Sequence, residues 1–196
     1  MLDYLSEKQF DEIKDSVNIY SISSKELENI SRFSFSCGKA KEYEDFLRNE
    51  AKRLESLCIS KTFILIHKNT KELIGYFSLS ADTVKLTLEE KNSSDLDGVS
   101  FMSLPAIKVG KLAVNKDLSN TAKRKGYGSF ILEIANTFAF EVLKAGVACR
   151  FITVDADVEY YPNTTEFYLK NGFKHNLSQR SRNANHTVSM RRDIFA

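Results

Sequence analysis

The chain of 196 residues has no tryptophan, only three histidines and only three cysteines. His67, His175 and His186 do not cluster, and no Cys-x-x-Cys pair occurs, so the sequence argues for no metal site. Cys37, Cys58 and Cys149 are odd in number and widely spaced, which argues against a disulfide framework. That usage suits a reducing, cytoplasmic setting, with Cys58 and Cys149 expected to serve as small core groups. No apolar run approaches the roughly 18–20 residues of a membrane-spanning helix, and the polar, acidic start gives no sign of a signal peptide. A dominant charge is lacking too. With 28 basic and 26 acidic residues the net charge is +2, so the local distribution of charge is what carries information.

What is present suits one domain, residues 1–196, with 1–25 as an N-terminal extension. Val17 to Tyr20 alternates like a short strand, and Lys25 to Ser31 suits a helical turn. Tyr43, Phe46, Leu47, Ala51, Leu54 and Cys58 recur at three- and four-residue steps, which predicts an amphipathic helix over 39–58, entered at Ser36 or Gly38. Thr62 to Ile66 and Leu73 to Ala81 read as a hairpin. Residues 82–104 carry five acids and read as a solvated surface connection. A strand over 106–114, a widely apolar helix over 126–143, a strand over 151–154 and a short helix over 165–170 follow. Asn171-Gly172 ends that last helix, and strands close the chain. This order predicts an α/β fold with a mixed sheet flanked by helices.

Strand, turn, Gly-x-Gly, helix is the most informative local order. Gly126 and Gly128 let the backbone approach a ligand, and the first turn of the next helix leaves N–H groups without intrahelical partners. Lys123, Arg124 and Lys125 add positive charge beside this anion site. A third glycine is missing, so the string is not a dinucleotide fingerprint, and no Gly-Lys-Ser/Thr makes it a P-loop.

Leu112-Ala113-Val114 followed by Lys123-Arg124-Lys125-Gly126-Tyr127-Gly128-Ser129 resembles the acetyl-CoA-binding motif of the GNAT acetyltransferase superfamily. Phe167-Tyr168-Leu169-Lys170-Asn171-Gly172-Phe173 is similar to that family's second signature. The resemblance implies a twisted mixed sheet whose central parallel strands splay to admit acetyl-CoA. It implies that Leu112, Ala113 and Val114 bind the pantetheine arm and that Lys123 to Ser129 hold the diphosphate, with Lys123 where the family has Gln or Arg. By position it implies that Tyr168 is the general acid. Where many members carry Asn and Ala, this chain has Tyr161 and Thr164. Asp155, Asp157 and Glu159 lie near these motifs in sequence, but the general base stays unassigned.

Phe35-Ser36-Cys37-Gly38 and Gly75-Tyr76-Phe77-Ser78-Leu79 extend the likeness to the GNAT toxins of toxin–antitoxin modules. It covers about residues 30 to 190. What it implies is acetylation of the α-amine of aminoacyl-tRNA, a small ribbon-helix-helix antitoxin as partner, and a homodimer in which Phe173 and Phe195 could pack across the interface. The basic stretch from Lys174 to Arg192 contains no acid, and Lys174, Arg180 and Arg182 are candidates for contacting an RNA backbone. An acetyltransferase for a small-molecule or protein amine, and an inert GNAT-like interaction domain, stay open as alternatives.

Overall fold

The computed structural model describes residues 5–27, 33–179 and 186–196, the side chains of Glu26 and Gln179 excepted. Its strands are β1 (Val17–Ser21), β2 (Lys61–His67), β3 (Leu73–Lys85), β4 (Ser103–Val114), β5 (Phe151–Asp157), β6 (Lys174–His175) and β7 (Thr187–Asp193). They form one mixed sheet in the order β1-β2-β3-β4-β5-β7-β6, which bears out the expected fold class. Compactness divides the chain into two bodies, one of residues up to Ser80 with Gly110–Glu133, the other of Ala81–Val109 with Ile134–Ala196. Strands β3 and β4 run through both, as does the helix that follows them.

The first body begins with α1 (Glu7–Ser16), which the sequence reading did not anticipate. Its start is set by a capping box in which Ser6 and Gln9 satisfy each other's backbone N–H. Ile13 is buried, and the Phe10 ring lies 5.0 Å from that of Phe130. Residues 7–21 are therefore packed structure. β2 pairs antiparallel with β3, as the hairpin pattern predicted, and β1 adds antiparallel to β2.

The amphipathic stretch is helical from Lys41 to Ser56, but not uniformly. α2 (Lys41–Asp45) passes into a π-helical segment, Phe46–Glu50, and then into α3 (Ala51–Ser56). The Ala51 N–H donates to the Phe46 carbonyl, the five-residue step that defines a π turn. Phe46, Leu47 and Ala51 are buried as their spacing predicts. Its entry differs from expectation: Ala40 is the cap residue, and the Glu44 carboxylate accepts the Cys37 N–H at 2.8 Å. Tyr76 anchors the helix by donating its hydroxyl to the Tyr43 carbonyl and stacking on Phe46.

Cys58 is not the core group expected. It is exposed and sits at φ 55 just past the helix, the left-handed position that ends helices. Cys37 and Cys149 are both buried, and burial pushes the Cys37 thiol up to about 12. Native-state alkylation followed by mass spectrometry should accordingly label Cys58 and spare the other two.

In the second body, 82–104 is only in part the solvated connection expected: residues 93–102 run largely exposed without helix or strand, but the first part is ordered. β3 continues to Lys85, and α4 (Leu88–Asn92) follows under a capping box from Thr87 and Glu90. Glu90 is only 3% exposed and faces Arg191, itself 4% exposed, at 2.6 Å. One carboxylate oxygen also accepts the Leu177 N–H, the other the Thr87 N–H, and the guanidinium donates further to the His175 carbonyl. Arg191, which falls within the basic stretch from Lys174 to Arg192, is thus a structural cation, and Arg192 is buried as well.

β4 and β5 are parallel, in register from Ala106↔Phe151 to Val109↔Val154. Beyond that ladder β4 continues to Val114, and β5 pairs on its other side with β7 as far as Asp157↔Thr187. α5 (Tyr127–Lys144) and α6 (Thr164–Lys170) fall where their patterns placed them, α6 ending at Gly172 with φ 75. Among the described residues no helix is long and apolar enough to cross a membrane.

Burial alone would raise the Glu90 carboxyl, but the Thr87 and Leu177 N–H bonds and the Arg191 charge outweigh it and hold it low. A lowered carboxyl stabilises the fold above its unfolded pKa, near 4.3 for Glu, and loses that contribution as pH falls through the folded value. Glu90→Gln should cost about 3–5 kcal/mol at pH 7, because it leaves Arg191 buried without its counter-charge. In denaturant titrations the gap between the two proteins should close below about pH 4.

Candidate active site

The strand and loop that resemble a coenzyme site lie in the first body. Gly75 makes room for the strand: a Cβ there would stand 2.5 Å from the Ala113 carbonyl oxygen. At the end of β4, Asn115 is buried and fully engaged. Its side chain donates to the carbonyls of Ser34 and Leu73 and accepts the N–H groups of Ser36 and Asp117. The Phe35-Ser36-Cys37 segment is thereby fastened to the strand that carries Leu112, Ala113 and Val114.

Residues 115–126 then turn back into α5. Glu72 holds Ser119 through both its N–H and its hydroxyl, at 2.8 and 2.6 Å. Those bonds, the Ser119 hydroxyl first, keep the Glu72 carboxyl low. Ser119 in turn accepts the N–H groups of Ala122 and Lys123 through its carbonyl. Tyr127 is buried and donates its hydroxyl to the Ala122 carbonyl at 2.8 Å, closing the loop from inside. The Phe130 N–H reaches the Gly126 carbonyl, starting the helical ladder.

The three basic residues of this loop divide in role. Arg124 is tied to Glu12 of α1 at 2.6 Å. Lys123 and Lys125 are exposed and form no ion pair among the described residues. With the N–H groups of the first α5 turn, which precede any intrahelical acceptor, they make a donor set suited to an anionic group such as a phosphate. Gly128 is half-buried and Ser129 buried in that same turn.

Gly126 has a second role that the sequence did not disclose. Its φ is +97, and a Cβ there would meet Leu5 Cδ1 at 2.9 Å and Ile13 Cδ1 at 3.4 Å. Leu5 can swing aside, so the backbone conformation sets most of the cost. Gly126→Ala should lower stability by about 1–3 kcal/mol, the range for a non-glycine residue held at positive φ. Thermal unfolding should show it, whereas the same change at the helical Gly128 should be neutral or stabilising.

In the second body, α6 presents Tyr168 between Phe167 and Phe173, with ring centroids at 5.0 and 5.3 Å and planes inclined by 64° and 67°. Phe173 is buried against that ring, which removes it as an interface residue. Phe195 is exposed, edge-on to Phe140 and beneath the Arg150 guanidinium. Burial, and then the Asp157 carboxylate, push the Tyr168 phenol up, so it is protonated at neutral pH. Tyr76 and Tyr127 are also buried, and both donate to backbone carbonyls. Tyr168 differs from them, because no described residue hydrogen-bonds its hydroxyl.

Of the basic candidates, Lys174 is exposed on β6, while Arg180 and Arg182 lie outside the described residues. Asp155 pairs with Lys108, and Asp157 accepts the Glu159 N–H. Sequence reasoning missed a pocket of about 330 Å³ in this body, lined by Asp82, Lys108, Thr153, Asp155, Ser178 and Ser189 among others. Its signal was the period-two polar face Thr153-x-Asp155-x-Asp157, masked by the apolar residues between.

No family model matches the chain. Solved structures do. A tyrosine-to-phenylalanine mutant of KacT is 20% identical, with 89% of this chain and 94% of that one covered at a TM-score of 0.67. AtaT complexed with acetyl-methionyl-tRNAfMet is 19% identical over 89% and 93%, with a TM-score of 0.66. A mutant AtaT toxin bound to acetyl-CoA and the C-terminus of the antitoxin AtaR is 16% identical over 92% and 95%, with a TM-score of 0.63. At such identities the likeness speaks for architecture, and together with the mixed sheet and its parallel β4–β5 pair it establishes that the chain has the GNAT fold, in the form carried by KacT and AtaT.

Proposed function

We propose that this chain is an acetyl-CoA-dependent N-acetyltransferase that acetylates the α-amine of aminoacyl-tRNA, as the toxin of a toxin–antitoxin pair. The carrying observation is Tyr168, a buried ring of the second signature whose hydroxyl has no hydrogen-bond partner among the described residues. A tyrosine kept for packing would be expected to bond its hydroxyl, as Tyr76 and Tyr127 do. An inert interaction domain has no use for such a group. The likeness to AtaT with acetylated tRNA and with acetyl-CoA, over 89% and 92% of this chain, supports the substrates, and the complex of AtaT with AtaR supports an antitoxin partner. The ribbon-helix-helix class of that antitoxin and a homodimer are parts of the same reading.

In this reaction the neutral amine attacks the thioester carbon, the C–S bond breaks, and the departing thiolate takes a proton. Tyr168 supplies that proton, and the phenolate is restored by the proton the new amide nitrogen sheds, relayed through solvent. An α-amine of aminoacyl-tRNA, less basic than lysine, is partly neutral near pH 7, so transfer needs no dedicated base. Lys123, Lys125 and the N–H groups of Gly128 and Ser129 hold the diphosphate, Arg124 positions the loop through Glu12, and Leu112 to Val114 receive the pantetheine amides along the strand. Lys174 meets the RNA backbone as a point charge.

Removing one oxygen tests the assignment. Tyr168→Phe keeps both aromatic contacts, so stability and coenzyme A affinity by calorimetry should match wild type. Single-turnover transfer from acetyl-CoA to aminoacyl-tRNA should slow by about 10²- to 10⁴-fold. Transfer at the wild-type rate would make Tyr168 structural.

A further inference from the structure

The pocket of the second body is built from side chains that share one face of the sheet. Lys108 stands opposite Thr153 in the β4–β5 ladder, and Ser189 opposite Asp155 in the β5–β7 ladder. Asp82, at the far end of β3, accepts the Thr153 hydroxyl, and Lys108 bridges to Asp155. In each carboxylate a single oxygen, Oδ2, takes that bond. The Oδ1 atoms of both have no hydrogen-bond partner among the described residues, although both groups line a concave space. Around them stand hydroxyls, an amide and the side chains of Lys85 and Lys108, the latter held by Asp155, with Val84 the one aliphatic residue of the lining. The lining also includes Ser178, which donates to the Lys85 carbonyl, and the buried Asn176.

At about 330 Å³ the space is near the lower end of the roughly 300–1,000 Å³ that small-ligand sites span, room for one amino-acid-sized group. A lining this polar would leave an aliphatic guest facing unpaired donors and acceptors, which is a strong basis for rejection. Thr153, Asp155 and Asp157 alternate on this face of β5, and Asp157 is the residue whose charge reaches the Tyr168 phenol. Asp155 of the lining is thus two residues from Asp157 on the same strand.

We infer that this pocket seats the aminoacyl end of the acceptor, its free Asp82 and Asp155 oxygens accepting from the amine and its hydroxyl-lined wall selecting a small polar side chain over an aliphatic one. This rests on the acetyltransferase reading for what is done to the amine, but not for the binding itself. Serinamide and leucinamide carry the same amine and differ in the side chain, so they separate the two contributions. Isothermal titration of the full chain should show serinamide binding at least about ten-fold more tightly than leucinamide, the worth of one or two hydrogen bonds. Asp155→Asn should weaken serinamide by about ten-fold, since it removes a charged acceptor without changing shape. Asp82→Asn should do likewise, and if it unfolds because Thr153 loses its partner, Asp155→Asn decides alone.

Transfer of acetyl groups to bulk aminoacyl-tRNA, measured alongside, reads the functional proposal separately. Serinamide binding that depends on Asp155, with no transfer to any acceptor, would overturn the acetyltransferase reading and leave an amine site. Equal binding of the two amides, or binding indifferent to Asp155→Asn, would overturn the pocket assignment even where transfer proceeds.

Discussion

The ion pair between Glu90 and Arg191 is the constraint on which the second body depends. A carboxylate and a guanidinium taken out of water would destabilise the fold unless nearly every lone pair and N–H found a partner. Here both Glu90 oxygens are engaged, by Arg191 and Leu177 on one and by Thr87 on the other. The pair therefore fixes where α4 begins, where the chain leaves β6, and which residue of β7 faces inward. Since β7 pairs with β5, the position of Ser189 opposite Asp155 follows from the same anchorage. A polar pocket on that sheet face is the downstream result of one buried charge and its partner.

Two kinds of information lay in the sequence with unequal clarity. The strand, the glycine loop, the long helix and the aromatic helix after β5 are local patterns, each specified by residues within one or two turns of one another. They were legible for that reason. Glu90 was not, because an acid in a run of acids reads as solvated until a cation a hundred residues away is brought beside it. The pocket is non-local in the same way, drawing on β3, β4, β5 and β7. α1 was missed because Phe10 and Ile13 are too few to mark a helical stripe, and its start is set by hydrogen bonds between Ser6 and Gln9. Cys58 shows the converse error, since its spacing continues the helical stripe past the residue where the backbone has already turned left-handed.

Tyrosine usage separates scaffold from chemistry in this chain. Tyr76 and Tyr127 each spend the hydroxyl on a carbonyl within their own body, fixing respectively the helix over Tyr43 and the loop at Ala122. Such bonds lower the cost of burying a phenol and in doing so remove it from reactivity. The Tyr168 ring sits between two others, which help fix its direction through contacts that make no demand on the oxygen. Orientation and availability are thereby decoupled, a combination that packing can supply and hydrogen bonding cannot.

The π-helical segment at Phe46–Glu50 has a consequence for how chain length can vary in relatives of this protein. A π turn holds one residue more than the α turn it replaces, so losing one residue there would restore an α-helix and leave the faces of Tyr43 and Ala51 where they are. A one-residue deletion inside α5 would instead rotate everything beyond it by about 100° and carry buried side chains out to solvent. Length polymorphism should therefore be tolerated between 46 and 50 and purged between 127 and 144, so that a single-residue gap in comparisons across this fold marks the helix over 41–56 as its place of insertion.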